Sequence, residues 1–265
     1  VSLYGDVPGG ARPTSATVRS AGGGAVNVGA AKTSARTTAT MLVEIGAGAR
    51  VTSGYGPEVR TTDGITIETD ANGLASAIST NQGGGAISVG TAESWARSTV
   101  TSTVSIGAGA VVESGWDLVI APVTRGRVDA NSRSDSRGLG AGVTSRALGA
   151  LNLRTDIRIA GSLIAEHTML IAGYVRPDGN VESRAAGAGL GAAANATTCG
   201  ADCRLDVDIN VEIDVSGAST VLQADELTIL ARLGTDRQDR AGHLRAYAWT
   251  HARALGADSD ATAYV

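Results

Sequence analysis

Two motifs recur in this chain at one fixed spacing, and that spacing limits the folds open to it. Gly22-Gly-Gly-Ala-Val-Asn-Val-Gly29 returns as Gly83-Gly-Gly-Ala-Ile-Ser-Val-Gly90, and Ile45-Gly-Ala-Gly-Ala-Arg-Val-Thr-Ser-Gly54 returns as Ile106-Gly-Ala-Gly-Ala-Val-Val-Glu-Ser-Gly115; both offsets are 61 (83 − 22 and 106 − 45). Self-similarity at a fixed period is the signature of stacked repeat architectures. Fainter copies follow. Gly138-Leu-Gly-Ala141 returns as Gly189-Leu-Gly-Ala192, an offset of 51 (189 − 138), and Arg146-Ala-Leu-Gly-Ala150 as Arg253-Ala-Leu-Gly-Ala257, an offset of 107 (253 − 146), about twice the local period. Each unit closes on an apolar triplet: Ile65-Thr-Ile67, Leu118-Val-Ile120, Met169-Leu-Ile171 and Leu227-Thr-Ile229. The expected division is a leading segment or partial coil over 1–20 and a single array over 21–265. Its units lie near 22–82, 83–137, 138–188 and 189–240, with a fifth starting and running to 265.

Inside each unit the hydrophobic period is two, the period of a strand whose side chains alternate between faces. Leu205, Val207, Ile209, Val211, Ile213 and Val215 alternate with Asp206, Asp208, Asn210, Glu212 and Asp214. In the second unit Ala92, Ala96, Val100, Val104 and Ile106 share one face, while Glu93, Trp95, Arg97, Thr99, Thr101 and Thr103 share the other. The 61-residue offset carries Ala31, Ala35, Ala39, Val43 and Ile45 onto the same inner set. No stretch sustains a helical period. Strand, Gly-rich corner and strand in tandem predict an all-β parallel β-helix, a β-solenoid in which each coil covers the edge of the one before. An antiparallel sandwich would not copy both corner and strand at one offset. The long unbroken alternations favour one wide coil per unit over two narrow ones.

Composition agrees with a narrow interior. Glycine stands at 36 residues, phenylalanine at zero and all aromatics at 3%, so the apolar stock is Ala, Val, Ile and Leu. A formal net charge of −4 gives no basic footprint for nucleic acid. Lys32 is the only lysine beside abundant Arg, Ala and Gly; this is the codon bias of a high-GC genome and points to a bacterium. No apolar run reaches the roughly 18 residues that span a bilayer. The first residues lack the charged-then-apolar order of a signal peptide. The start without methionine and the stop at Ala263-Tyr264-Val265 are expected of a piece of a longer polypeptide.

The repeats, GGGA-V/I-x-V-G followed by an Ala/Ser/Thr alternation and IGAGA-x-V-x-SG, resemble the shaft regions of large bacterial exoproteins of the filamentous-haemagglutinin type. The likeness extends in style over 21–265 and is close only between Gly22 and Gly115. It implies a right-handed parallel β-helix, export and work at the cell surface, and it transfers no binding residue. The amino-terminal secretion module of that family is not visible in this sequence, so the export route stays open.

Candidate sites are few. Cys199 and Cys203 are close enough in sequence to close a small disulfide loop, which belongs to an extracellular setting; with no His nearby they make a poor zinc site. Asp206, Asp208, Glu212 and Asp214 are weak calcium candidates, and paired carboxylates could also cut a glycosidic bond. Their single-strand spacing instead reads as a solvated charge ladder, with Arg158 expected beside Asp214 one coil away. His243, Arg245, Tyr247, Trp249 and His251 occupy alternate positions, an aromatic and basic row suited to stacking on sugar rings and forking onto an acidic group; the competing reading is a lateral protein contact. Trp95 and Trp116 stand isolated, and His167 in Glu166-His-Thr168 reads as a corner residue. Asn195-Ala-Thr197 matches a glycosylation acceptor by coincidence in a bacterial chain. Hydrolase elbow, P-loop and zinc-protease motifs are absent, and no cofactor motif is present.

The expected function is therefore a non-catalytic structural or adhesive β-solenoid of a secreted bacterial surface protein or extracellular fibre. Its expected partners are end-to-end copies or adjoining coils of a longer chain and cell-surface or matrix glycans, with no nucleic acid and no membrane-spanning segment. The alternative is a β-helix that binds or cleaves polysaccharide. Ice binding by Thr99, Thr101 and Thr103 ranks last, because the third unit carries Arg154, Asp156 and Arg158 in that row.

Overall fold

The computed structural model describes residues 2–6, 14–54, 64–189, 204–234 and 243–253. These residues form strands joined by tight turns, with no helix among them. The strands are β1 (Ser2–Asp6), β2 (Thr14–Ile45), β3 (Arg50–Ser53), β4 (Ile65–Ile106), β5 (Val111–Ser114), β6 (Leu118–Ile120) and β7 (Val123–Ile159). They continue with β8 (Ser162–Ala165), β9 (Thr168–Ala188), β10 (Leu205–Val215), β11 (Leu222–Gln223), β12 (Glu226–Leu233) and β13 (Leu244–Arg253). Every pairing is parallel. This is a parallel β-helix with one wide coil per repeat. Thr14 lies opposite Ala75 and Ile45 opposite Ile106, the 61-residue spacing of the motifs. From β4 to β7 the register is 53 residues, with Asn81 opposite Ser134, and from β7 to β9 it is 51, with Val123 opposite Tyr174.

Each long strand folds back on itself. In β4 the first arm, 65–82, faces the second, 91–106, across a thin interior; the buried Ser79 and Ser94 hydroxyls meet at 2.9 Å although they lie 15 residues apart. The Gly83-Gly-Gly85 segment turns the strand between them, and the ladder resumes at Ile87 after skipping Ala86. The short strands β3, β5, β8 and β11 stack as a separate sheet that follows the second arm. A tight turn leads into it, where Gly48 and Gly109 hold φ of 69° and 70° in successive coils, a backbone region favouring glycine.

The alternation read from sequence places side chains as expected. Ala92, Ala96, Val100, Val104 and Ile106 are buried, as are Ala31, Ala35 and Ile45. The interior nevertheless differs from an Ala/Val/Ile/Leu filling. Ser79, Ser88, Ser94, Ser98, Ser102, Ser132 and Ser145 also point inward and are fully buried. Hydroxyls cross the gap to the opposite arm: Ser98 donates to the Gly73 carbonyl at 3.0 Å, and Thr124 and Thr155 meet at 2.7 Å. Aliphatic bulk collects at the other end of the section, around Ile65, Ile67, Ile106, Leu118, Ile120 and Ile159. Where the arms come closest, an inward glycine faces an aliphatic side chain, as Gly73 faces Val100 and Gly149 faces Val181. A Cβ at Gly73 would lie 2.6 Å from Val100. Small and hydroxylated inner residues thus allow the two sheets to approach more closely than the about 10 Å of ordinary stacked sheets.

One faint repeat is out of register. Arg253 lies opposite Ala188, which lies opposite Arg137, so the RALGA copies at 146 and 253 do not stack. Identity over five residues, three of them Ala or Gly, is weak evidence in a chain so rich in both; strand pairing follows the inward pattern.

Candidate functional site

The outer face of the second arm displays the densest chemistry. Parallel register turns it into a grid, each outward residue stacked over its counterpart one coil away at about 4.8 Å. Ser34, Arg36, Thr38 and Thr40 of β2 lie opposite Trp95, Arg97, Thr99 and Thr101 of β4. These lie opposite Leu148, Ala150, Asn152 and Arg154 of β7. Ala150, Asn152 and Arg154 face Asp206, Asp208 and Asn210 of β10.

The grid has two electrostatic regions. Toward its far end charges neutralise one another. Arg154 meets Asp156 through Nε at 2.8 Å and Glu212 at 3.0 Å, and Arg158 lies 3.6 Å from Asp156. Under this cover the Asp156 side chain is only 5% exposed. The register does set Asp214 opposite Arg158, but the Arg158 guanidinium leans to Asp156, and the ion pair between coils is Arg154–Glu212 instead. Arg204 holds Asp206 at 2.7 Å. The carboxylates of β10 are exposed and stand in single file, alternate positions roughly 6.6–7 Å apart along a strand. Among the described residues no three His, Cys, Asp or Glu side chains converge as a metal site.

Toward its near end the grid opens into a depression of about 280 Å³ flanked by Arg36, Trp95, Arg97, Leu148 and Arg204. The Trp95 indole is 49% exposed there. Sequence reading isolates Trp95; stacking gives it neighbours. The signal was present, since the alternation sets Trp95 and Arg97 on one outer face and the 61-residue offset carries Arg36 onto Arg97; what neither gives is Leu148 and Arg204 beside them.

The row from 243 to 251 falls on β13, at the stack's last described strand. Ala248 packs toward the core, while Trp249 is 40% exposed and Arg245 lies 5.2 Å above the Tyr247 ring. His243 is exposed at the strand's start; the His251 side chain lies outside the described residues, as do Cys199, Cys203 and Asn195.

Trp116 and His167 are not isolated. They occupy the same corner in successive coils, their rings stacked at 4.4 Å and 13°. Asp117 accepts from the Thr168 hydroxyl at 2.6 Å and amide at 3.1 Å, and its carboxylate lies 2.8 Å from His167 Nδ1. Partial burial pushes the Asp117 carboxyl up, but the hydrogen bonds from Thr168 and His167 outweigh it and hold the pKa below its ordinary 3.8.

Neither protein-family models, nor curated proteins, nor solved structures give a match to this chain.

Proposed function

We propose that this chain is a structural and adhesive β-solenoid segment of a secreted bacterial surface protein or extracellular fibre. The observation that carries the reading is the pairing of β2. All but one of its residues from Thr14 to Ile45 are in register with β4, and among the described residues no strand covers its other edge. An uncovered edge of this length templates another strand, which here is an adjoining coil or a second copy. The GGGA and IGAGA repeats support the likeness to filamentous-haemagglutinin-type shafts on which the export and surface assignment rests. A non-catalytic role is favoured over polysaccharide cleavage because that chemistry places two carboxylates on either side of a bond, whereas those of β10 run along one strand.

Electron microscopy of the native material tests the reading. Fibres or rods continuous beyond the length of one chain, with an axial repeat of about 4.8 Å by diffraction, are expected. Discrete particles of single-chain length at high protein concentration would overturn it.

A further inference from the structure

Many outward arginines in this solenoid are neutralised by a carboxylate on the same or the next strand, while others, Arg19, Arg137 and Arg176 among them, have no carboxylate within ion-pair distance among the described residues. Arg127 pairs with Asp129 at 3.0 Å, Arg133 with Asp135 at 2.8 Å, Arg125 with Asp70 at 3.1 Å and Arg154 with Asp156 at 2.8 Å. Arg36 and Arg97 differ from the other unneutralised arginines in facing one another. They stand directly opposite each other in β2 and β4, and among the described residues neither has a carboxylate within ion-pair distance. Two carboxylates of the same outer face are engaged elsewhere: Glu93 with Lys32 at 3.0 Å, and Asp206 with Arg204 at 2.7 Å. Like charges opposed across neighbouring strands destabilise a sheet, so this pair costs stability unless an anion lies over it. Beside it the exposed Trp95 offers an aromatic platform, extended by Leu148 in the next coil. Ala150, opposite Arg97, leaves the floor of the depression low.

We propose that this depression binds an acidic saccharide. One ring stacks on Trp95 and Leu148, and its carboxylate or sulfate accepts hydrogen bonds from both guanidinium groups, an arrangement in which planar arginine forks bind oxyanions well. Thr38 and Thr99, next along the same rows, present hydroxyls for the neighbouring sugar. The site lies far along the chain from the β13 row. It supplies a ligand class for the adhesive half of the proposed function and rests on that half.

The test measures binding of the full 265-residue chain to alginate, dextran sulfate and uncharged dextran. Retention on either acidic polymer, weakening with salt, and none on dextran is expected; the acidic polymer preferred distinguishes carboxylate from sulfate. Arg36→Gln with Arg97→Gln, and separately Trp95→Ala, should each weaken binding about tenfold. Arg19→Gln with Arg176→Gln, which removes the same charge from the first arm, should leave it unchanged. All four arginines and Trp95 are at least partly exposed, and unchanged circular dichroism verifies folding. Equal losses in the two double variants, full binding by Trp95→Ala, equal binding to dextran, or no binding to either acidic polymer would each overturn the proposal. None of these results bears on the shaft reading, which microscopy decides.

Discussion

At the scale of single residues, position in the stack decides what a residue tolerates. Gly46 and Gly107 occupy the same corner one coil apart, and neither has a positive φ. A Cβ at Gly46 would meet nothing within 4 Å, whereas one at Gly107 would lie 2.6 Å from the Ala47 backbone nitrogen and 2.9 Å from its Cα. Backbone cannot swing aside as a side-chain tip does. Gly107→Ala is therefore expected to destabilise by about 1–3 kcal/mol, the usual cost of overpacking. Gly46→Ala should be neutral or stabilising by about 0.4–1 kcal/mol, because alanine has less unfolded-state entropy to lose. Chemical denaturation of the two variants checks this, and equal effects would show that the coils do not stack at this corner. The inward serines follow the same logic of place: a buried hydroxyl is tolerated only where a partner waits, and Ser79 and Ser94 find each other across the gap.

At the scale of elements, corners as well as ladders fasten one coil to the next. The turn between β5 and β6 is tied to the turn between β8 and β9 by the Trp116–His167 stack and by the bonds converging on Asp117. A carboxyl whose pKa is lowered on folding contributes stability that is present above its unfolded pKa and is lost as pH falls through the folded one. For Asp117 that window lies below about pH 4. Asp117→Asn is expected to lower the melting temperature at pH 7, with the gap to the parent chain narrowing as pH drops below 4. Thermal melts at pH 7, 4 and 3 check it; a gap that stays constant with pH would remove the carboxylate charge from the account.

At the scale of the whole molecule, stability in a stack is a sum of neighbour interfaces rather than the property of one core. Strand β4 is bonded along both edges, to β2 on one side and to β6 and β7 on the other, and its inner residues are fully covered. Strand β2 is bonded along one edge, and its inner Ala39, Met41 and Val43 are only half-buried. Hydrogen exchange should therefore be slowest in peptides covering 92–106 and 143–159 and fastest over 14–30. If the edge of β2 is where copies join, exchange over 14–30 should slow when the protein assembles into fibres, while the central coils stay as they were. Uniform exchange along the chain would indicate a single cooperative unit.

Much of the fold was legible because a solenoid writes its geometry twice. Period-two alternation assigns strands and faces, and the 61-residue copy of corner and strand gives the register of β2 on β4 directly. The inward Ala and Val positions followed from those two regularities. The inward serines did not, because a serine at an alternating position is read as solvent-facing until the arm opposite is known to supply a hydroxyl or carbonyl. Register also became unreadable where small residues carried the match, as at Arg146 and Arg253, since Ala and Gly discriminate poorly between alignments.

The candidate site shows the same division. Composition and spacing marked the β13 row, where the residues are neighbours in sequence. They left Trp95 unremarkable, because its partners Arg36, Leu148 and Arg204 come from three other coils, and only stacking at strand separation brings them around it. By itself the sequence determined the fold class and the faces of its clearest strands and favoured the wide coil, since those depend on local period and repeat length; the strand register then settled one coil per repeat. Tertiary structure alone decided which outward charges cancel and which stand uncompensated, because that depends on contacts between coils more than fifty residues apart.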